Sequence, residues 1–110
     1  MRIIRLKPYL RAMKAMGLRD AEMREVELAV AASPESHPVT KGLRGARKAR
    51  ISRPGMGKRG GGRVVYYLAI KGQVVAFLLA YSKNEKDDLT QDDRRAILRA
   101  IETLSTGADP

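Results

Sequence analysis

At 110 residues and 44% hydrophobic content, the chain is one domain long and can bury roughly 65% of the surface its unfolded form exposes. The absence of cysteine and the single histidine, His37, exclude a disulfide framework, a thiolate metal site and an imidazole zinc site. Twenty-two Lys and Arg against twelve Asp and Glu leave a net charge of +10, which points to a polyanionic partner. Nucleic acid leads over a membrane surface, because no segment pairs a cationic face with a bulky Trp/Phe/Leu face. Charges interrupt the N-terminal stretch too often for a signal peptide, and no apolar run nears the ~20 residues of a membrane span. A cytoplasmic protein is expected.

Ile3, Ile4 and Leu6 alternate with cations and predict a short strand. Pro8 suits the first turn of a helix whose buried stripe is Tyr9, Met13 and Met16. Gly17 ends that helix, and Asp20 is the expected cap of the next. Met23, Val26 and Val30 repeat the stripe, Ala29 and Ala32 are small enough for close helix packing, and Ser33-Pro34 stops the helix. The pair predicts a helical hairpin laid on a sheet. Residues 35–41 form a loop, in which His37, without an orienting carboxylate nearby, reads as a solvated residue rather than a general base.

Residues 46–53 alternate as an edge strand, with Ala49 and Ile51 toward the core and Lys48 and Arg50 away from it. Pro54 to Gly57 reads as a turn. Two apolar runs, 64–70 and 74–81, flank the Lys71-Gly72-Gln73 loop and predict a central hairpin, in which Tyr66, Tyr67 and Phe77 are core. Thr90 and Asp93 are spaced as a capping box for a last helix with Ile97, Ile101 and Leu104 buried, and the tail from about residue 105 should fray. The order is strand, helix, helix, a three-stranded antiparallel meander and a C-terminal helix. That is an α+β fold in a single domain, 1–110.

Chemistry concentrates in residues 41–63, which hold nine Lys or Arg and no acid, and end in Gly60-Gly61-Gly62. A phosphate-binding loop fails there, since Arg59 stands where Ser or Thr should bind magnesium. Asp87-Asp88 and Asp92-Asp93 are sequence neighbours whose side chains diverge or favour a helix dipole, so a two-metal nuclease is not expected, and neither a metal nor any other cofactor is called for. Metal-free RNA cleavage needs a base, a cationic clamp and an acid. Arg clamps phosphate bidentately, and a Lys crowded by cations is tuned toward proton transfer. Lys58, Arg59 and Arg63 meet that description if residues 58–63 form a turn on which cations converge. An antiparallel hairpin returns Lys83 and Tyr81 to the same end. Arg47, Lys48, Arg50 and Arg53 fit contacts along an RNA backbone, while Arg2, Arg5, Arg11, Lys14, Arg94, Arg95 and Arg99 read as solvated surface or partner contacts.

Three stretches carry a family likeness. Ala46-Arg-Lys-Ala-Arg-Ile-Ser-Arg-Pro-Gly55, Gly57-Lys-Arg-Gly-Gly-Gly-Arg-Val-Val-Tyr-Tyr67 and Tyr81-Ser-Lys-Asn-Glu-Lys-Asp-Asp-Leu-Thr90 resemble the HigB-like branch of the RelE toxin family of type II toxin–antitoxin systems. The likeness spans residues 43 to about 104, and the N-terminal third matches in layout. It implies a RelE-like fold, ribosome-dependent cleavage of translated mRNA, and a cognate antitoxin that often carries a helix-turn-helix. It also implies a catalytic part for Arg63, the arginine leading the third strand, with Lys58 and Arg59 matching the basic turn before it and Lys83 the lysine after the last strand. The chain departs from the pattern at Ala46 and Ala49, where relatives carry bulky apolar residues. It also lacks the C-terminal tyrosine of some relatives, so the proton-transfer role is unassigned. Two other readings fit the basic window: a non-catalytic RNA- or ribosome-binding module, and a gyrase inhibitor of the related ParE type.

Overall fold

The computed structural model describes residues 1–53 and 57–106, with the side chains of residues 53 and 57–60 outside that description. The predicted turn at residues 54–56 and the tail at 107–110 therefore lie outside the described residues, as do the side chains of Arg53, Lys58 and Arg59. Element order follows the α+β expectation: β1 (Arg2–Arg5), α1 (Lys7–Ala15), α2 (Asp20–Ala32), β2 (Arg47–Arg53), β3 (Gly57–Ala69), β4 (Val74–Ser82) and α3 (Gln91–Ser105). No helix among the described residues is long and apolar enough to cross a membrane.

The four strands lie in the order β1-β4-β3-β2, so the β3–β4 hairpin is the centre and β2 an edge. β1 runs parallel to β4, a pairing with no local sequence signal, while β2–β3 and β3–β4 are antiparallel. Both faces are covered. The α1–α2 hairpin lies over Val64, Tyr66, Val75, Phe77 and Ala80, and α3 lies over Val65, Ala69, Val74, Ala76, Leu78 and Tyr81. This explains runs that are apolar throughout rather than alternating. A bulge, with Val65 opposite Leu79 and Tyr66 opposite Phe77, leaves Leu78 as the extra residue and shifts the alternation along β4.

The helix ends follow local chemistry. Gly17 takes φ +87°, its N–H bonds the Lys14 carbonyl, and the Leu18 N–H bonds the Met13 carbonyl, a Schellman motif closing α1. At α3, Thr90 Oγ1 accepts from the Asp93 N–H at 3.0 Å and Asp93 Oδ2 from the Thr90 N–H at 2.9 Å, completing the capping box. α2 differs from expectation. Its cap is Arg19, whose N–H bonds Glu22 Oε1 at 2.9 Å, and Asp20 sits one position inside the helix. Asp20 is drawn instead to Arg5, at 3.1 Å.

Three further expectations change. Residues 58–63 are not a turn, because β3 begins at Gly57 and carries the glycine run inside the strand. A Cβ at Gly62 would stand 2.8 Å from the Tyr81 carbonyl oxygen and 3.0 Å from Met16 Sδ, so glycine serves close backbone approach there. β3 ends at Ala69, and Ile70 turns out of the strand at φ +50°. His37 is half-buried rather than freely solvated, with Nδ1 3.1 Å from the Tyr66 hydroxyl. That hydroxyl donates its one proton to the Pro34 carbonyl at 2.6 Å, so His37 Nδ1 must carry the proton between them.

Arg5, expected on the solvated surface, holds β1 to α2 through Glu27. This carboxylate is 2% exposed, accepts from Arg5 Nε and Nη2 at 2.9–3.0 Å, and accepts from the Tyr9 hydroxyl at 2.7 Å. The bond to Glu27 raises the pKa of Arg5 against the opposing effect of burial, and burial with Glu27 raises that of Tyr9.

Glu27→Ala strands a guanidinium and a buried hydroxyl together and is expected to lower stability by about 3 kcal/mol, read by urea unfolding. Gly62→Ala, which must push β3 from β4 or displace Met16, is expected to cost about 1–3 kcal/mol. A value within about 0.5 kcal/mol of wild type, the range of ordinary surface substitutions, would overturn either account.

Candidate active site

On the α3 side of the sheet the register sets three residues in one cross-strand row. Arg50 on β2 is opposite Arg63 on β3, and Arg63 is opposite Tyr81 on β4. Directly opposed residues share a face, and Tyr81 belongs to the cluster under α3, which assigns that face to all three. One step along the same face, Lys48 is opposite Val65. The expected return of β4 to the start of the hairpin is present: the Lys83 N–H bonds the Gly61 carbonyl at 3.3 Å, two residues from Arg63.

The cations of this face divide by partner. Lys48 Nζ reaches Asp88 Oδ1 at 3.0 Å and Lys86 Nζ reaches Asp93 Oδ2 at 2.7 Å. Lys83 Nζ is held by the Asp87 carbonyl at 3.3 Å. Arg63, half-buried, donates Nη1 to the neighbouring Gly62 carbonyl, and among the described residues neither Arg63 nor Arg50 faces a carboxylate. Two planar guanidinium groups thus stand on adjacent strands with no carboxylate partner among the described residues, and guanidinium geometry suits bidentate contact with phosphate oxygens. The buried Tyr81 ring lies beneath Lys86, whose ammonium is 5.7 Å from its centroid.

Lys86 was not singled out by the sequence, although its place in the loop 83–90, tied to Asp93 in the first turn of α3, makes it part of this surface. The paired acids separate as expected. Asp88 turns to Lys48, Asp93 to Lys86 and the helix cap, and Asp92 to Arg95. The Leu89 N–H and then Lys48 hold Asp88 below the ordinary carboxylate range. Partial burial pushes Asp93 up, but Lys86 and Thr90 outweigh it and hold that carboxyl low as well.

Arg47 is placed elsewhere. It shares the α1–α2 side with Ala49 and Ile51, and its Nη1 donates to the Glu35 and His37 carbonyls at 3.1 and 2.6 Å, bracing the loop before β2. Ala46 and Ala49, the two small residues of the β2 region, are both buried, so the strand packs without bulky side chains there.

A family model described as "RelE toxin of RelE / RelB toxin-antitoxin system" matches residues 1–108. Among solved structures, the chain is similar to a double arginine-to-alanine mutant of E. coli toxin RelE in the free state, with 16% identity, a TM-score of 0.57 and coverage of 91% of this chain and 96% of that one. The isolated E. coli RelE toxin gives 17% identity and a TM-score of 0.50, covering 90% of this chain and 97% of the other. At these identities the two structures speak for the fold.

Asp93 supports both the cap of α3 and Lys86, so Asp93→Ala is expected to cost about 1 kcal/mol at pH 7. Because its folded pKa is depressed, this contribution is complete above the unfolded Asp value of ~3.9 and is lost as pH falls through the lower folded value. Thermal unfolding of the two proteins between pH 7 and pH 2 should show the gap closing only at the acid end. A gap independent of pH would contradict the ionic part of the account.

Proposed function

The chain belongs to the RelE toxin family, and from that premise we propose that it is a ribosome-dependent mRNA endonuclease that arrests translation. The observation that supports this most is the Arg50–Arg63 row, two guanidinium groups without carboxylate partners among the described residues, beside the Lys83 segment. In this reading a 2′-hydroxyl attacks its own 3′-phosphate. The bond to the 5′-oxygen breaks, and a proton passes from the attacking to the leaving oxygen, giving a cyclic phosphate and a free 5′-hydroxyl. No metal takes part in this scheme. Arg63 stabilises the charge that grows on the phosphoryl oxygens, where a preorganised donor is worth most. Lys83, Lys58 and Arg59 complete the cationic set.

Lys48, Arg50 and Arg53 extend the RNA track along β2, while Arg47 supports it from the opposite face. The whole of 1–110 acts as one toxin domain in the cytoplasm, with translated mRNA as substrate. Its RelB-type antitoxin partner carries a helix-turn-helix in this proposal.

Inducing the chain in cells and mapping mRNA 5′ ends should reveal new cuts within translated frames. Arg63→Ala should reduce cutting by about 100-fold or more while the protein stays folded by circular dichroism. Lys83→Ala should act in the same direction. Growth arrest by Arg63→Ala equal to wild type would sink the assignment. Harmless expression without new 5′ ends would favour a binding module, and inhibition of purified gyrase a ParE-type action.

A further inference from the structure

The segment between β4 and α3 does more than join them. It leaves β4 at Ser82, which is opposite Gly62, and its Asp88 meets Lys48, which is opposite Val65. Passing from β4 to β2 on the α3 face, it crosses β3, a span of two strand spacings of about 4.8 Å each. The level of Arg63 lies between its two ends. A carboxylate among cations read as a phosphate site needs a reason, because a free acid there repels RNA.

Asp88 is not free. Its Oδ1 accepts from the Leu89 N–H at 2.8 Å and from Lys48 Nζ at 3.0 Å. Leu89 is buried in the core beneath α3, in one cluster with Leu43, Val65 and Leu78. The carboxylate is therefore fixed by backbone that the core holds, and the same two donors favour its ionised form. Arg94 adds a favourable charge, with its own Nη1 anchored at the Lys41 carbonyl, 3.2 Å away.

Lys48 gains most from this arrangement. Its flexible four-carbon stem samples many rotamers, and that freedom is lost when the ammonium meets a phosphate oxygen. One of its three N–H donors goes to Asp88, and no other partner for the ammonium lies among the described residues, which leaves two for an anion. Arg50 follows two residues on, about 7 Å along the same face of β2. Arg63 lies across from Arg50. Side-chain exposures of 26% for Lys48 and 56% for Asp88 mark a pair that adds little to folding, so its effect lies in where it puts the ammonium.

We infer that Asp88 is a positioning residue for RNA cleavage: it holds the Lys48 ammonium beside Arg50 and Arg63, ready to donate to the phosphate that Arg63 engages. The inference rests on the nuclease reading. Asp88 touches neither the RNA nor the reacting atoms and acts through Lys48. Its carboxylate keeps one N–H of Lys48 while the other two serve the phosphate, so substrate does not have to displace it.

The test uses the purified full chain, programmed ribosomes and single-turnover cleavage. Asp88→Asn keeps an acceptor for the Leu89 N–H and removes the charge that orders Lys48. It is expected to lower the cleavage rate at saturating toxin by about tenfold, with the half-saturating concentration within about threefold of wild type. In a Lys48→Met background the same substitution should change the rate by less than about twofold, because the group it acts through is gone. Asp92→Asn, an equal change of charge in the first turn of α3, should cleave as wild type. A wild-type rate in Asp88→Asn overturns the inference, and so does an equal loss in both backgrounds, which marks a structural role only. Faster cutting or tighter binding by Asp88→Asn also overturns it and makes the carboxylate a brake that phosphate must displace. A wild-type chain that cuts nothing refutes the nuclease reading instead, and the positioning is then read without cleavage, from the Lys48 ammonium signal in nitrogen NMR as a 2′-O-methyl oligoribonucleotide is added. A signal that moves on binding in wild type and is lost in Asp88→Asn upholds the inference; identical behaviour in the two proteins overturns it.

Discussion

At Gly62 the backbone of β3 passes so close to the Tyr81 carbonyl and to Met16 Sδ that a single methyl group would collide with both. Much of the molecule turns on that approach. It brings the central strand pair together where α1 ends, and it sets Arg63, the next residue, opposite Tyr81. Because facing residues in an antiparallel pair share a side, the same contact hands Arg63 to the α3 face and joins it to Arg50 across β2. A larger residue at position 62 would disturb the core and the arginine row together, since one register determines both.

Charge is sorted between the two faces rather than spread over them. The α3 face holds Lys48, Arg50, Arg63, Lys83 and Lys86, and uses Asp88 and Asp93 to neutralise two of the lysines. Those lysines are thereby held in place, while Arg50 and Arg63 meet no carboxylate among the described residues. The acids of α2 lie on the other side: Glu27 buried against Arg5 and Tyr9, Glu22 and Glu25 beside Val26 and Ala29 in a groove between α2 and β2. A basic protein can therefore keep its α2 carboxylates apart from most of its cationic side chains. With a Debye length of about 8 Å at physiological salt, surfaces on opposite sides of a sheet are largely screened from each other.

The sequence was most legible where a local rule settles geometry. Gly17 at a helix end, Thr90 with Asp93 three residues on, and two apolar runs around Gly72 each have few structural solutions, and each took the expected one. Long-range partners were less visible. Glu27 sits in an amphipathic helix as any surface acid would, and only the parallel docking of β1, which places Arg5 beneath α2, reveals it as buried. The same pull took Asp20 from its expected cap. The run Gly60-Gly61-Gly62 misled because glycine marks both turns and close backbone approach, and without a side chain the sequence does not distinguish them. Ala29 was read as a packing residue for a similar reason: a small residue suits a tight interface and an open groove equally.

The candidate site divides along the same line. That Lys83 returns to the start of the hairpin follows from antiparallel pairing, which sequence can supply. That Arg50 joins Arg63 while Arg47 does not follows from strand parity, which an alternating pattern also carries, but only once the register of β2 on β3 is known. In a pleated strand a shift of one residue exchanges the two sets of cations. A list of basic residues in this window is therefore not yet a site. Parity divides it into a cross-strand pair and a structural brace, with Arg50 and Arg63 on one side and Arg47 tied to the Glu35 and His37 carbonyls on the other. The same parity turns the backbone of Arg50 toward the open edge while its side chain takes the α3 face. One residue thus ties the open sheet edge to the arginine row, so the position of the β2 backbone there sets the position of the guanidinium group.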